Sequence, residues 1–348
     1  VQSFWDQEET DVSSCDCGLP HPTARTARIL APLASIAAAW SIPPTTHTHT
    51  LAFPTPASFS TISKNKQTPS LFFSAVERNF PNSIPTSKVV QKVTRLLRKE
   101  RGYTSANTLL ATSLCCDEIN SKPQYSLSAR FRQGLSPNNG VFTMGGLGGL
   151  PFVGKTGMKA FLSHVPSEGK VVILFGPHVG VSQKGIIGQV ERLGQAQPTT
   201  SCGAAIGAYQ ALTTQAAPLH NNNGSEGSEG SESSDYQEDF IISKLRQTQS
   251  LDNPDSVEPL VSVTKDMSNM IRAMLMQQLD ACGWQKPEFW SNIKEVCLVG
   301  GIVINQGQTS NERSREDYFQ PLVMEIYEQP ANGDSSPRKM DLYNQVFR

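Results

Sequence analysis

The stretch that decides the fold is Lys170–Gly180, KVVILFGPHVG. Its apolar run, Val171–Phe175, stops at Gly176 and Pro177, and a single histidine, His178, follows. An apolar run of this length between turn residues is typical of a strand buried on both faces. Open α/β sheets bind their ligands just beyond the carboxyl ends of such strands. His178 is therefore a candidate binding residue.

Apolar patterning predicts further strands and helices around this run. Buried strands are predicted at Asn107–Leu114 and Val296–Ile304. A helix is predicted from Thr86 or Ser87, either of which can cap it, to a stop at Gly102.

Other segments are less regular. Residues 121–140 are polar and contain prolines and an Asn-Asn-Gly sequence, which predicts an excursion loop. Small residues after Ser201 predict a helix that packs closely on a sheet, with Ser201 as a plausible cap. The helical stripe between Met267 and Leu275 predicts a core helix rather than a cofactor site.

Composition limits the function classes. The chain has 348 residues, a formal net charge of −1 and 18% charged residues, so nothing indicates the basic surface that nucleic acids require. No run of 18 apolar residues occurs, and no transmembrane helix is expected. Seven cysteines at irregular spacing indicate a reduced compartment, with thiols free for metal binding or packing.

The first 75 residues have the composition of a targeting leader. No Asp or Glu occurs between Cys17 and Ala75, where Ser, Thr, Pro and Ala dominate. Within it, Arg28–Trp40 has the short apolar core of a signal peptide, and the following residues resemble a transit peptide. This order is similar to the bipartite leaders of algae with complex plastids. We expect a disordered, plastid-directing leader at 1–75; the alternative is a disordered tail without a targeting role.

The rest of the chain is expected to form one domain at 80–328. The acidic, low-complexity sequence at 221–235 cannot bury enough apolar area to order itself, which predicts a surface insert within that domain. Residues 329–348 are predicted to be a polar tail.

The segment Gly149–Thr156, GLPFVGKT, matches the P-loop pattern G-x-x-x-x-G-K-[ST]. The pattern requires a buried strand before the loop, but Phe142–Gly146 is too short and too glycine-rich. Pro151 also removes one of the backbone N–H groups that would bind phosphate. Nucleotide binding therefore remains a remote alternative.

A candidate set of metal ligands consists of Cys115, His178 and Cys202. Cys115 and His178 each follow an apolar run, so both can lie at one sheet edge, and Cys202 opens a helix that favours a thiolate. Two sulfurs and one imidazole suit zinc, with a fourth position left for water. The alternative is two buried cysteines and a satisfied histidine. Asp117 can accept a hydrogen bond from water at such a metal.

Four segments in one order resemble the limiting-CO2-inducible B family of algae and bacteria, whose members include the theta-class carbonic anhydrases. They are Ala111–Asn120, Gly145–Gly157, Phe175–Ser182 and Ser201–Tyr209. The resemblance spans about residues 80–325. It implies an α/β fold, with a central, mostly parallel β-sheet flanked by helices, an active site like that of beta-class carbonic anhydrases, and usually a homodimer.

The resemblance also implies roles for individual residues. Zinc would be bound by the three candidate ligands, and Asp117 would belong to a catalytic Asp–Arg pair. Beta-class spacing would place the arginine at position 119, where this chain has Ile119. We choose Arg192; the alternatives are Lys155, Arg130 and Arg132.

The implied function is a zinc-dependent carbonic anhydrase that interconverts CO2 and bicarbonate in an algal CO2-concentrating mechanism. A different class of function is a non-catalytic relative that keeps zinc and acts as a partner or as a component of a CO2 barrier. The P-loop interpretation of Gly149–Thr156 ranks third, because the same resemblance accounts for that glycine-rich stretch.

Overall fold

The computed structural model describes residues 70–122, 125–214, 235–247, 258–307, 316–330, 334 and 336–348. The predicted leader up to residue 69, and the predicted acidic insert up to residue 234, lie outside the described residues.

The described chain alternates helices with strands. The helices are α1 (Leu71–Asn79), α2 (Thr86–Lys99), α3 (Leu127–Leu135), α4 (Gly154–Ser163), α5 (Gly203–Thr214), α6 (Tyr236–Leu245), α7 (Pro259–Ala281) and α8 (Tyr343–Phe347). The strands are β1 (Ile84–Pro85), β2 (Thr108–Leu114), β3 (Phe142–Thr143), β4 (Gly169–Gly176), β5 (His178–Val181), β6 (Gln189–Val190), β7 (Thr199–Thr200), β8 (Ile293–Gln306), β9 (Tyr318–Glu328) and β10 (Arg338–Asp341). None of these helices is both long enough and apolar enough to cross a membrane.

Eight of the described strands form one sheet. Its order is β1-β9-β8-β4-β2-β3, with β10 also paired to β9 and β5 also paired to β8. The pairs β2–β3, β2–β4, β4–β8 and β5–β8 are parallel, whereas β9 runs antiparallel to β1, β8 and β10. Strands β6 and β7 form a separate antiparallel pair. The predicted α/β fold with a mostly parallel sheet is confirmed.

Strand β4 is buried on both faces, as its apolar run predicts. Val171, Ile173 and Phe175 belong to the core that the sheet forms with α4, α5, α6 and α7. Val172 and Leu174 belong to a second core, formed with α2, α3 and α8. Each fully buried side chain of this size contributes about 1.5–3 kcal/mol, so the central strand anchors both layers of helices.

Strands β4 and β5 both pair with β8, one after the other along its length. The 14-residue strand β8 pairs with β4 up to Phe175 and with β5 from His178 onward. The Val303 N–H donates to the Pro177 carbonyl oxygen at 3.0 Å and continues the pairing across the break. Only glycine fits at position 176, because a Cβ there would lie 1.8 Å from the Gly301 carbonyl oxygen. His178 therefore begins a second buried strand instead of an exposed loop.

The loop predicted at 121–140 is wrong in its centre, where the structure has α3. Ser126 caps this helix, since its hydroxyl oxygen accepts a hydrogen bond from the Ala129 N–H. Leu127, Phe131 and Leu135 recur every fourth residue and are buried in the core shared with α2. Their helical spacing was the missed signal, because the polar residues around it resemble a loop.

Thr86 and Ser87 do not cap α2. Pro85 occupies the cap position, and a carboxylate distant in sequence takes over the capping role. Glu316 accepts a hydrogen bond from the Ser87 N–H at 2.6 Å and one from the Thr86 hydroxyl at 3.3 Å. A negative charge at this end also interacts favourably with the helix dipole.

The described fold extends beyond the predicted domain at both ends. Helix α1 begins at Leu71, within the predicted leader, and buries Phe72 and Val76. In the predicted polar tail, β10 pairs with β9 and α8 buries Val346. Short elements of this kind were missed because backbone pairing and one or two buried side chains leave little periodicity in the sequence.

Replacement of Leu174 by alanine tests the two-faced burial of β4. Leu174 is 0% exposed, and its truncation should lower the free energy of unfolding by about 3 kcal/mol through lost burial and a residual cavity. Leu193→Ala is the matched control, because Leu193 is 67% exposed and its truncation should cost less than about 0.5 kcal/mol. Urea denaturation measures both. Equal effects would contradict the assignment of β4 to the core.

Glu325 predicts a pH dependence of stability. Burial raises the pKa of this carboxyl, but hydrogen bonds from Lys339, Arg272 and Tyr327 outweigh burial and hold the pKa below its ordinary value. A lowered native pKa adds stability that is present above about pH 4.3 and is lost as the pH falls through the native pKa. Glu325→Gln should therefore be less stable than the wild type at pH 7, and the difference should shrink in acid.

Denaturation curves between pH 3 and pH 7 measure this difference. The exposed Glu77 provides the control, since Glu77→Gln should change stability little at any pH. A Glu325→Gln penalty that stayed constant down to pH 3 would contradict the ionic origin.

Candidate metal centre

Three element ends meet at the carboxyl edge of the parallel strands. Cys115 directly follows β2, His178 begins β5, and Cys202 directly precedes α5. All three residues are buried, and their potential ligand atoms all lie within 4.8 Å of one another. The structure thus brings together the three residues that the sequence predicted as metal ligands.

The geometry of these side chains fits a metal ion. The two sulfurs are 3.8 Å apart. Two zinc–sulfur bonds of about 2.3 Å at a tetrahedral angle would also separate the sulfurs by about 3.8 Å. The buried Nε2 atom of His178 has no hydrogen-bond partner among the described residues. A buried donor atom without a partner, next to two thiols, is what a metal ion would satisfy.

The two thiols differ in their tendency to ionise. A hydrogen bond from Cys115 lowers the pKa of the Cys202 thiol; burial opposes this, and the backbone N–H groups of Ala205 and Ala204 lower the pKa further. The same thiol–thiol hydrogen bond, together with burial, raises the pKa of Cys115 well above its ordinary value. Without a cation the pair therefore favours a single thiolate, at Cys202. A metal cation would stabilise both.

The first turn of α5 differs from the prediction. Ser201 was expected to cap this helix, but the helix begins at Gly203, so Cys202 precedes it directly, and the backbone of Ala205 and Ala204 lowers the pKa of its thiol. The Ser201 hydroxyl instead lies 3.4 Å from His178 Nδ1. The helix end thus stabilises the candidate ligand itself.

The second ring nitrogen of His178 has a buried partner that the sequence analysis missed. Nδ1 lies 2.6 Å from Oδ1 of Asn305, a residue of β8. Asn305 ends an apolar strand at the same sheet edge as His178, and this position was the available signal. Sequence alone did not indicate that the two strands pair.

Asp117 lies beside the candidate ligands. Its Oδ2 atom is 3.6 Å from His178 Nε2, and Arg192 Nη2 is 3.2 and 3.1 Å from its two carboxylate oxygens. Burial raises the pKa of Asp117. A hydrogen bond with the Glu118 side chain, the charge of a protonated His178, a hydrogen bond from the Ile119 N–H and the charge of Arg192 outweigh burial, so the pKa lies below its ordinary value. The carboxyl is therefore ionised at neutral pH.

Arg192 is the basic residue that the structure places on Asp117. Arg130, one of the alternatives, instead pairs with Glu316 at 3.6 Å. The remaining donors of Arg192 are also engaged, since Nε donates to Glu118 at 2.7 Å and Nη1 donates to Thr199 Oγ1 and the Thr200 carbonyl oxygen at 2.6 and 2.9 Å. These contacts fix the plane of the guanidinium group.

A cleft of about 340 Å³ adjoins this ion pair. Its lining combines charged side chains with the apolar Ile119 and the exposed Leu193. Arg192 and Glu118 line the cleft as well, so it reaches the outer side of the Asp117–Arg192 pair.

Comparison with known families decides the relationship. The family model for limiting CO2-inducible proteins B/C, beta carbonic anhydrases, matches residues 83–328. The chain belongs to this family. The crystal structure of PtLCIB4, a homolog of the limiting CO2-inducible protein LCIB, is 29% identical, with a TM-score of 0.61, over 77% of this chain and 98% of PtLCIB4.

Other comparisons agree on the fold. The crystal structure of limiting CO2-inducible protein LCIB is 20% identical, with a TM-score of 0.53, over 77% of this chain and 98% of LCIB. No curated protein matches the chain. The resemblance that the sequence indicated is confirmed, and the chain carries a carbonic-anhydrase-like domain of the LCIB family with a cluster that can bind a metal ion.

The glycine-rich segment of this LCIB-family domain is packed rather than open. Leu150 is fully buried, and Gln278 donates to the Pro151 carbonyl oxygen at 2.6 Å. Ser113 donates to the Gly149 carbonyl oxygen at 2.7 Å. The strand before the segment, β3, has only two residues. The segment thus packs against the end of β2. It lacks the long buried strand that precedes a phosphate-binding loop.

Removal of any one of the three sulfur or nitrogen donors should abolish stable metal binding. Cys202→Ser in this LCIB-family domain is expected to weaken zinc affinity at least about 100-fold, since a hydroxyl is a much poorer zinc ligand than a thiolate. Metal analysis after dialysis and competition with a chromophoric chelator measure the loss. Cys116→Ser is the control, because Cys116 is the exposed neighbour of Cys115. Equal zinc loss in both variants would contradict the assigned ligand set.

Proposed function

We propose that the protein is a zinc-dependent carbonic anhydrase that interconverts CO2 and bicarbonate. One observation carries the proposal: the Asp117–Arg192 ion pair lies directly beside the buried cluster of Cys115, His178 and Cys202. Family membership supports the same reaction.

Zinc is the metal that the donor set favours. Two thiolates and one imidazole are soft and borderline ligands, and tetrahedral zinc with three protein ligands keeps a fourth position open. The 3.8 Å separation of the sulfurs agrees with this geometry. When bound, such an ion supplies Lewis-acid activation of water for attack on CO2.

Asp117 and Arg192 would orient the reacting water. An ionised carboxylate can only accept hydrogen bonds, and Asp117 Oδ2 lies 3.6 Å from His178 Nε2, so it would accept the O–H of a reacting water beside the cluster. The oxygen of that water would keep a lone pair for attack on CO2. Arg192 contributes by keeping the carboxylate ionised and fixing its orientation, because it contacts both carboxylate oxygens.

The cleft beside the pair offers a route for the substrate. CO2 is small and has no net charge, so the apolar Ile119 and Leu193 side chains can admit it without strong binding. Bicarbonate is an anion, and because the lining matches the cations Lys122 and Arg192 with the carboxylates of Glu118 and Glu191, no net positive charge retains it.

The alternative is a non-catalytic LCIB-family member that binds zinc as a structural ion. The engagement of Arg192 with Asp117 favours the enzyme, because a purely structural zinc site would not require an oriented carboxylate at its open side. For nucleotide binding, the packed Gly149–Thr156 segment provides no support.

Location and assembly are proposals of the same kind. The acid-free leader composition supports a plastid destination and a role in an algal CO2-concentrating mechanism. A homodimer is what the resemblance of the four sequence segments implies. A fluorescent fusion of the leader and light scattering of the purified domain would test these two proposals.

Stopped-flow CO2 hydration tests the enzyme. The wild type should carry one zinc ion per chain and hydrate CO2, with activity lost to a strong chelator. Asp117→Asn and Arg192→Gln should each lower kcat by about 100-fold, the usual cost of losing an oriented acid–base group, while retaining zinc. Arg130→Gln is the control, since Arg130 pairs with Glu316 away from Asp117.

Each result of this experiment separates the candidate functions. Zinc without hydration in the wild type would favour the non-catalytic relative. Full activity of Arg192→Gln would show that the ion pair has no catalytic role. A protein without zinc that is stabilised by ATP would overturn the proposal in favour of nucleotide binding.

A further inference from the structure

We propose that Asn305 is a positioning residue for His178: it fixes the proton on Nδ1 and thereby presents Nε2 to the metal, with the buried Asp317 anchoring the adjoining end of β8. The metal role rests on the function proposed above; the effect on the proton of His178 does not.

The strand register brings the two side chains together. His178 on β5 is paired with Val303 on β8, so Asn305, two residues further along, lies on the same face of the sheet. Both residues are almost completely buried. The contact of 2.6 Å between Nδ1 and Oδ1 is short for a hydrogen bond between neutral groups, and no water is needed to bridge it.

The remaining contacts of Asn305 determine which way its amide points. Its Nδ2 donates to Oδ1 of Asn120 at 3.3 Å, and Asn120 in turn donates from Nδ2 to the Cys115 carbonyl oxygen. The carbonyl oxygen of Cys115 only accepts, so Asn120 must turn its amide oxygen toward Asn305. The Asn305 amide nitrogen then faces Asn120, and the Asn305 amide oxygen faces His178. An oxygen that only accepts requires the proton on Nδ1. In the neutral imidazole that a metal requires, Nε2 is then the atom with the free lone pair, and it is the ring nitrogen without a hydrogen-bond partner among the described residues.

Asp317 is held rigidly for this task. It is 3% exposed, and its Oδ1 accepts the Gln306 N–H at 3.0 Å and pairs with Lys122 at 3.4 Å. Lys122 compensates the negative charge of Asp317 inside the protein. The hydrogen bond to the Gln306 N–H fixes the backbone next to Asn305 and so limits the movement of its amide.

The same network reaches a second candidate ligand. Asn120 donates from Nδ2 to the Cys115 carbonyl oxygen at 3.3 Å, while its Oδ1 accepts from Asn305. The backbone of one ligand and the side chain of another are thus joined through two amides.

An amide suits this position better than a carboxylate. A carboxylate directly on Nδ1 would add a full negative charge to a buried edge that would already carry two thiolates and Asp117. Asn305 supplies the acceptor without the charge. The nearest formal charge on the Asn305 side of the imidazole is that of Asp317. Asp317 does not contact the imidazole and is paired with Lys122.

The experiment compares Asn305→Leu, which keeps the approximate volume but removes the acceptor, with Asn305→Asp, which keeps an acceptor. Zinc affinity is measured by competition with a chromophoric chelator. Asn305→Leu should bind zinc about 10–100-fold more weakly than the wild type, the usual effect of losing the partner of a ligating histidine. Asn305→Asp should recover most of this loss. Asn344→Leu, at an exposed position of α8, is the matched control and should bind like the wild type.

A second readout does not depend on zinc. In ¹⁵N-histidine-labelled protein, the Nδ1–H of His178 should give a slowly exchanging proton signal with and without zinc, identified by its absence from His178→Ala. Asn305→Leu should lose this signal or speed its exchange at least about 10-fold, because the proton then keeps only the longer contact of 3.4 Å with the Ser201 hydroxyl. Circular dichroism and thermal unfolding show whether each variant is folded; if Asn305→Leu is not folded, Asn305→Ser takes its place.

The outcomes distinguish this proposal from the proposed function. A wild type that binds no zinc overturns the proposed function, while the Nδ1–H signal still decides the role of Asn305. Wild-type zinc affinity in Asn305→Leu, or an unchanged Nδ1–H signal in that variant, overturns the positioning role. Equal weakening in Asn305→Leu and Asn305→Asp would show that an acceptor on Nδ1 does not support zinc binding, and would also overturn the positioning role.

Discussion

Strand β8 runs beside β4 for its first half and beside β5 for its second half, and this parallel pairing holds the candidate site together. The strand can be interrupted at Gly176 and Pro177 because β8 continues alongside the interruption. There the Val303 N–H donates a hydrogen bond to the Pro177 carbonyl oxygen. His178 is thereby placed in a buried strand opposite the end of β8. An exposed loop at this point would leave the imidazole solvated and free to rotate.

The two buried thiols of the site need a nearby cation in order to ionise together. Cys115 and Cys202 are buried with their sulfurs 3.8 Å apart, and the ionised Asp117 lies beside them. Arg192 balances Asp117, and the first turn of α5 stabilises one thiolate. The imidazole of His178 favours a thiolate at Cys115, but the hydrogen bond with Cys202 and burial outweigh it. Ionisation of both cysteines therefore depends on a metal, and metal binding should stabilise this edge of the fold together with the site.

The sequence predicted the parts of the site that follow from local patterns. Cys115 and His178 could be found because each interrupts an apolar run, and such runs reveal strand ends. Asn305 also ends an apolar run, but its role depends on the register in which β5 pairs with β8. His178 pairs with Val303, and Asn305 lies two residues further along β8. Local sequence does not reveal which strands pair or in which register. The roles of Asp317 and Asn120 were harder to predict, since both residues act only through Asn305. Helix α3 was missed for another reason, because three buried residues in a polar segment give a weak helical signal.

Arg192 shows why spacing alone could not decide the partner of Asp117. The pattern in beta-class enzymes places the arginine two residues away, whereas here the two residues are 75 apart in sequence and meet through the β6–β7 hairpin. This hairpin ends at Thr200, whose carbonyl oxygen accepts from Arg192, and Cys202 follows two residues later. The segment that delivers a candidate ligand therefore also fixes the guanidinium group. A displacement of the hairpin would move both, so the orientation of Asp117 and the completeness of the ligand set are mechanically coupled.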